Sequence, residues 1–205
     1  MVKILEQLNY LLFSWINANL APSKWLITIA TFLARDTIFI VPLLLISLWA
    51  FGPQSKLLLQ REVVTKTIIA LLFTMITSAA IGKLLPHQRP FAAGIGYCFL
   101  AHKPDTSFPS NHGAAIFTIA LAFLFWYRIW LSGILISIAI GIAWSRVYLG
   151  IHWPLDMLAS FFLGLNGCLI TQCVWTLFGD IITTRLINLY HFLFISAIRK
   201  GWLKA

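Results

Sequence analysis

The sequence predicts an all-α, polytopic membrane protein, a bundle of five to six transmembrane helices. Apolar residues (A, V, I, L, M, F, W, Y and C) make up 60% of its 205 residues and charged residues only 10%, against roughly 25% charged residues in an average globular domain. The mean hydropathy is +0.88. A soluble chain of this size could not bury so much apolar surface. The composition therefore excludes a soluble enzyme, a disordered tail and a disulfide-stapled secreted domain.

Five stretches are long and apolar enough to predict membrane spans, since a helix needs roughly 20 residues to cross the hydrocarbon. They are residues 25–51, 63–85, 112–131, 132–148 and 154–178. The third and fourth follow one another directly, so a tight hairpin is expected at 131–133. Arg35 and Asp36 interrupt the first, and adjacent charges rarely face lipid. We interpret this pair as a helix break that lies at an interface or caps a helix.

The two ends of the chain predict peripheral segments. Residues 4–20 place apolar side chains near helical spacing with polar residues between them, which indicates an interfacial helix or a sixth span. Residues 186–205 form a C-terminal segment that is expected on the cytoplasmic membrane surface. The first residues lack the apolar core and small-residue cleavage site of a signal peptide, so no cleaved leader is expected. Without internal repeats or low-complexity linkers, residues 1–205 are interpreted as a single domain.

The basic residues predict the orientation. The chain carries 15 Lys and Arg against 6 Asp and Glu, a net charge of +9, and these residues are scattered at the ends of apolar stretches. That pattern favours topology signals and contacts to anionic lipid over nucleic-acid binding. The side opposite loop 86–110 holds Lys56, Arg61, Arg128, Arg185, Arg199, Lys200 and Lys204. The positive-inside rule then places loop 86–110 outside the cytoplasm.

Polar residues concentrate at the ends of three spans that share one membrane face. The second span ends in the segment 83–90, the third opens with 108–113, and the fourth closes with Ser145-Arg146, followed by His152 and Asp156. Among them, His112, His152, Arg89, Arg146, Lys83, Ser110 and Asp156 thus converge there. Packing alone is a poor explanation for such a cluster.

The residue types in this cluster are those of phosphoryl transfer. Lys83, Arg89 and Arg146 offer positive charge, and arginine forks match phosphoryl oxygens. Residues 110–113 open a helix, whose N-terminal N–H groups attract anions. Asp156 lies four residues after His152, close enough to hold a proton on one ring nitrogen while the other attacks phosphorus. His112 remains free to protonate a leaving oxygen.

Three blocks of this sequence resemble the signature of the type 2 phosphatidic acid phosphatase (PAP2) superfamily, which includes lipid phosphatases and vanadium haloperoxidases. The family block S-R-x5-H-x3-D is matched by Ser145, Arg146, His152 and Asp156. The block P-S-G-H appears as Pro109-Ser110-Asn111-His112. The block K-x6-R-P appears one residue short, as Lys83-x5-Arg89-Pro90, so either Lys83 or His87 takes the place of the family lysine.

Longer stretches, among them 86–91, 107–112, 143–150, 152–157 and 198–202, are similar to the bacterial undecaprenyl-diphosphate phosphatase branch. This resemblance implies hydrolysis of undecaprenyl diphosphate to undecaprenyl phosphate, which recycles a lipid carrier for cell-wall synthesis, without cofactor or metal. It implies His152 as nucleophile through a phosphohistidine, Asp156 as its orienter and His112 as general acid. The implied phosphate ligands are Arg89, Arg146, Ser110, Asn111, Gly113 and Lys83.

The resemblance also implies an active site at the outer membrane–water interface of a bacterial inner membrane, facing the periplasm. A long isoprenoid diphosphate and the bilayer are the expected partners, and the sequence gives no oligomeric state. Two alternatives stay open. One is a related lipid phosphatase or phosphotransferase acting on phosphatidylglycerol phosphate, diacylglycerol diphosphate or lipid A. The other is a non-enzymatic transport or scaffold protein, which would distribute polar groups through the bilayer depth.

Overall fold

The computed structural model describes residues 2–51 and 53–201, and within these residues the chain is helical, with no strand. Seven α-helices follow one another: α1 (Val2–Ile16), α2 (Lys24–Arg35), α3 (Ile40–Phe51), α4 (Leu57–Leu84), α5 (Asn111–Trp126), α6 (Ile129–Tyr148) and α7 (Pro154–Arg199). Short 3₁₀ turns at Thr37–Phe39 and Gln54–Lys56 precede α3 and α4.

The predicted membrane bundle is confirmed. In the described residues, four helical stretches are long and apolar enough to cross a bilayer: Lys24–Phe51, Leu57–Leu84, Ile129–Tyr148 and Pro154–Arg199. The fifth, α5, has 16 residues, about 24 Å at 1.5 Å per residue. It is the central helix and packs against α4, α6 and α7. Its buried apolar side chains, including Ile116, Ile119 and Phe123, form the core with α6 and α3.

The expected break in the first span is present. Arg35 ends α2, Asp36 is its C-cap, and a 3₁₀ turn leads into α3. The two charged side chains form an ion pair with Arg35 Nε 2.8 Å from Asp36 Oδ1. The carbonyl of Ala34 faces the bundle at this break and accepts a hydrogen bond from Arg146 Nη1 at 3.0 Å.

The prediction of a hairpin at residues 131–133, between the third and fourth spans, is wrong. The chain turns at residues 127–128, and α6 already begins at Ile129 and passes through Gly133. The glycine misled the prediction because it is typical of turns. A Cβ added at Gly133 would meet nothing within 4 Å, so this glycine serves neither a turn nor a close helix contact. Starting at 129 gives α6 20 residues, about 30 Å and enough to span.

The two predicted peripheral segments, at the N-terminal and C-terminal ends, have different places in the structure. Helix α1 lies across the site end of α6 and α7: Asn9 Oδ1 accepts from Leu155 N at 3.0 Å, and the Phe13 ring packs 5.0 Å from Trp153. It has 15 residues and, unlike α5, it is not apolar enough to count as a short apolar helix, so it is not a candidate span. The segment from 186 is not separate, because α7 runs on to Arg199 with a kink at Phe194. Residues 202–205 of the predicted surface segment lie outside the described residues.

Candidate active site

The loop between α6 and α7 carries the central contact of the site. His152 Nδ1 lies 3.1 Å from Asp156 Oδ2, as the i, i+4 spacing predicts, and both side chains are buried. The contact forms because α7 begins at Pro154, so Asp156 falls in its first turn, where its Oδ2 also accepts from the Trp153 N–H at 2.9 Å. A carboxylate at this helix position also satisfies an N-terminal donor.

Ser107 completes the surroundings of this carboxylate. Its Oγ donates a hydrogen bond to Asp156 Oδ2 and lies 3.3 Å from His152 Nδ1. The Ser107 side chain is fully buried. Asp156 Oδ2 is thus approached by three donors, from His152, Trp153 and Ser107.

Arg89 contacts the other nitrogen of the imidazole. Its Nη1 lies 2.9 Å from His152 Nε2 and donates to the Ile151 carbonyl at 2.8 Å. Because arginine only donates hydrogen bonds, Nε2 must accept, and the ring proton therefore resides on Nδ1, facing Asp156. Burial lowers the pKa of His152 to about 3. The imidazole is consequently neutral, with the lone pair of Nε2 on the side of Arg89.

Arg89 is itself held by the loop that follows it. Its Nε donates to Asp105 Oδ1 at 2.8 Å, and its Nη2 donates to the Thr106 carbonyl at 3.1 Å. Although partial burial opposes the shift, the hydrogen bond from Arg89 holds the pKa of Asp105 below its usual value. His102 Nδ1 lies 3.8 Å from the same carboxylate oxygen, and burial lowers the pKa of His102. A carboxylate therefore occupies one arm of the arginine fork.

The start of α5 forms the opposite wall. Ser110 is the N-cap, and its Oγ accepts from the Gly113 N–H at 3.3 Å. Asn111, which stands where the family block has glycine, accepts from Ser78 Oγ of α4 at 2.7 Å through its Oδ1. This fixes the amide so that its NH₂ group is left to donate. A Cβ at Gly113 would lie 3.0 Å from Ser160 Cβ on α7, so a larger residue would require α5 and α7 to shift apart.

These side chains surround a cavity of about 420 Å³. Six of the predicted site residues line it: Lys83, Arg89, Asn111, His112, Arg146 and His152. Ser110, Gly113 and Asp156 do not line the cavity. Asp156 contacts the lining residue His152, and Ser110 and Gly113 flank Asn111 and His112 at the start of α5. His87 lines a different cavity on the side of α1, so of the two candidates for the family lysine only Lys83 borders the site.

Sequence reasoning left three of the residues around this cavity without a role. Asp105 and His102 reach it from loop 86–110, where only their positions in a long irregular segment were visible. Ser107 lay inside one of the blocks similar to the family, yet no spacing rule linked it to Asp156. Its backbone N–H donates to the His87 carbonyl at 2.8 Å, and this contact between two segments of the loop carries no sequence signal of its own.

The comparisons with known proteins agree with this architecture. A family model described as PAP2 superfamily matches residues 61–180, which include every predicted site residue. The chain is 49% identical over 201 residues to YbjG of Escherichia coli (strain K12), covering 98% of this chain and 100% of that protein, whose name provisionally assigns it as an undecaprenyl-diphosphatase.

Two further proteins are similar at lower identity. Undecaprenyl-diphosphatase BcrC of Bacillus subtilis (strain 168) is 28% identical over 153 residues, covering 75% of this chain and 77% of that protein. The crystal structure of Aquifex aeolicus LpxE aligns with a TM-score of 0.64 at 26% identity, covering 80% of this chain and 94% of that chain. With a family model matching more than half of its length and a relative covered from end to end, this multi-pass membrane protein belongs to the PAP2 superfamily.

Proposed function

We propose that this protein hydrolyses undecaprenyl diphosphate to undecaprenyl phosphate and inorganic phosphate. The observation that carries the proposal is the neutral His152 with its Nε2 lone pair facing a cavity bordered by Arg89, Arg146 and Lys83. The names of the relatives support the isoprenoid diphosphate as substrate. A cavity between helices that is bordered by cations suits a phosphate head whose apolar tail remains in the bilayer.

The first step is attack of His152 Nε2 on the terminal phosphorus. The bond between this phosphorus and the bridging oxygen breaks, His112 gives its proton to that oxygen, and undecaprenyl phosphate leaves. Arg89 must turn from Nε2 onto the phosphoryl oxygens, because a nitrogen that accepts a hydrogen bond cannot also attack phosphorus. Asp156 stabilises the positive charge that the imidazole gains on becoming phosphohistidine.

The second step returns the enzyme to its starting state. Water attacks the phosphohistidine, His112 accepts the water proton, and the N–P bond breaks to release inorganic phosphate. Arg146 and the Asn111 amide lie on the cavity wall, where they hold the phosphoryl oxygens in both steps. Preorganised cations and N–H groups of this kind supply the main transition-state stabilisation in phosphoryl transfer.

The site is proposed to face the periplasm of a bacterial inner membrane. If Lys83, Arg89 and Arg146 serve chemistry, the site side keeps Lys3, Lys24 and Lys103 as topology signals, and Arg35 is paired with Asp36. The opposite side holds Lys56, Arg61, Arg128, Arg185, Arg199 and Lys200 among the described residues. This imbalance supports the assignment by the positive-inside rule. Residues 1–205 are proposed to act as one domain, with the end of α7 on the cytoplasmic side.

The test is phosphate release by the purified protein from undecaprenyl diphosphate in detergent with EDTA present. Phosphatidylglycerol phosphate serves as the competing substrate. His152→Ala should abolish turnover, and His191→Ala, a matched histidine near the far end of α7, should leave it unchanged. Rapid quenching of the wild type with substrate labelled in the terminal phosphate should trap labelled protein.

Each outcome bears on a different part of the proposal. Preferred turnover of the isoprenoid diphosphate, lost in His152→Ala, supports both substrate and nucleophile. Preferred turnover of the glycerophospholipid would overturn the substrate and keep the chemistry. Activity that survives in His152→Ala would overturn the assignment of the nucleophile.

A further inference from the structure

Ser107 makes contacts that its position in a loop does not explain. It comes from loop 86–110, yet its side chain is fully buried beneath the site. Its Oγ donates to Asp156 Oδ2 and lies 3.3 Å from His152 Nδ1. One hydroxyl thus touches both members of the histidine–carboxylate pair.

The proton positions define what this hydroxyl can do. The carboxylate of Asp156 only accepts hydrogen bonds, so Ser107 donates its single proton there. The Nδ1–H of His152 then points between Asp156 Oδ2 and the lone pairs of Ser107 Oγ. Ser107 therefore fixes the carboxylate and at the same time offers a second acceptor to the ring proton.

The backbone holds this hydroxyl in place. The Ser107 N–H donates to the His87 carbonyl at 2.8 Å, and the His87 N–H lies 3.3 Å from Thr106 Oγ1. Arg89 follows two residues after His87, and its Nη2 donates to the Thr106 carbonyl. The two loop segments thus support both ring nitrogens of His152, with Arg89 at Nε2 and Ser107 at Nδ1.

We propose that Ser107 is a positioning residue of the reaction, which acts through Asp156 to keep the His152 ring in the orientation that attack requires. The proposal rests on the phosphohistidine chemistry of the proposed function. Loss of the hydroxyl would leave the buried Asp156 carboxylate with one hydrogen-bond donor fewer and would allow the His152 ring to change its orientation. Removing an outer partner of an ordered catalytic group commonly lowers activity by about tenfold.

The decisive experiment is a double-mutant cycle with Ser107→Ala and Asp156→Asn, assayed with radiolabelled undecaprenyl diphosphate. Ser107→Ala alone should lower kcat about tenfold with KM within about twofold, because the residue touches no substrate. In the Asp156→Asn background the same substitution should lower kcat by less than about twofold, since the group through which it acts is already altered. Ser132→Ala, a matched fully buried serine at the start of α6, should leave kcat unchanged.

A readout that needs no substrate separates this proposal from the proposed function. The ring signals of His152, assigned with His152→Gln, should show the Nδ1–H tautomer in both proteins, because Arg89 still donates to Nε2 in Ser107→Ala. The Nδ1–H proton signal should be sharp in the wild type and should shift and broaden in Ser107→Ala, where the ring proton has lost its second acceptor. An unchanged Nδ1–H signal would overturn the role of Ser107. Wild-type kcat in Ser107→Ala, or an equal tenfold loss in both backgrounds, would overturn the role of Ser107. If the wild type does not act on the isoprenoid diphosphate, the proposed function fails, while the Nδ1–H measurement still decides this inference.

Discussion

Replacing Arg89 by lysine tests whether the guanidinium fork, and not its charge alone, is needed. In the structure the three nitrogens of the fork engage Asp105, Thr106, Ile151 and Nε2 of His152, at 2.8 to 3.1 Å. A lysine keeps the charge but has one ammonium group, so it cannot hold the loop and bind two phosphoryl oxygens together.

The expected magnitude follows from the contacts that lysine cannot replace. At least one charge-assisted arm to the phosphate and the hydrogen bond to the Thr106 carbonyl that holds the loop are lost, together about 3 kcal/mol. At about 1.4 kcal/mol per factor of ten, kcat/KM should fall by about a hundredfold.

The assay is initial phosphate release over a range of substrate concentrations in detergent. Arg128→Lys, at the turn beside Tyr127 on the opposite side, is the matched control and should stay within about twofold. A loss below about threefold in Arg89→Lys would refute the reasoning that the fork binds the phosphoryl group.

Three further predictions concern packing, pH and orientation. Gly113→Ala should separate α5 from α7 at Ser160 and should lower both Tm, measured by thermal shift, and turnover. Gly133→Ala is the control: its Cβ meets open space, so it should stabilise the helix by about 0.5–1 kcal/mol. Burial lowers the pKa of His152 to about 3, against about 6.5 in the unfolded chain. Between these two pH values the unfolded chain binds more protons, so Tm should fall as the pH drops below 6.5. The dependence of Tm on pH should be weaker in His152→Gln, and an equal dependence would contradict the lowered pKa of His152. Cys98, free and exposed in loop 86–110, should react with a membrane-impermeant maleimide on intact spheroplasts, with Cys98→Ser as the blank; labelling only after lysis would reverse the orientation.

The sequence was most informative where a functional group lies within one turn of a helix end. The spacing of His152 and Asp156 and the opening of α5 at Ser110–Gly113 depend on local geometry, and the structure forms both. Spans were predictable for the same reason, since apolar length is a local property. The roles of individual site residues remain predictions until they are measured.

Contacts between distant loop segments could not be predicted. Asp105 meets Arg89, and Ser107 meets Asp156, only after loop 86–110 folds back over the site, and no periodicity encodes that path. The carbonyl of Ala34 is available to Arg146 only because α2 breaks at Asp36, so a residue of the first span supports a residue of the fourth. Gly133 misled the prediction because a glycine in a helix and a glycine in a turn look alike in sequence.

The depth of α5 has a consequence for how reaction rates should be measured. Asn111 meets Ser78 of α4 at 2.7 Å, six residues before α4 ends at Leu84, so the cavity lies about 9 Å below that end of the helix. A phosphate head can reach such a site while its isoprenoid tail never leaves the hydrocarbon. Encounter is then a two-dimensional search, governed by the mole fraction of substrate in the membrane or micelle. Adding detergent at constant bulk substrate should slow turnover by surface dilution, and kinetic constants should be expressed in mole fraction.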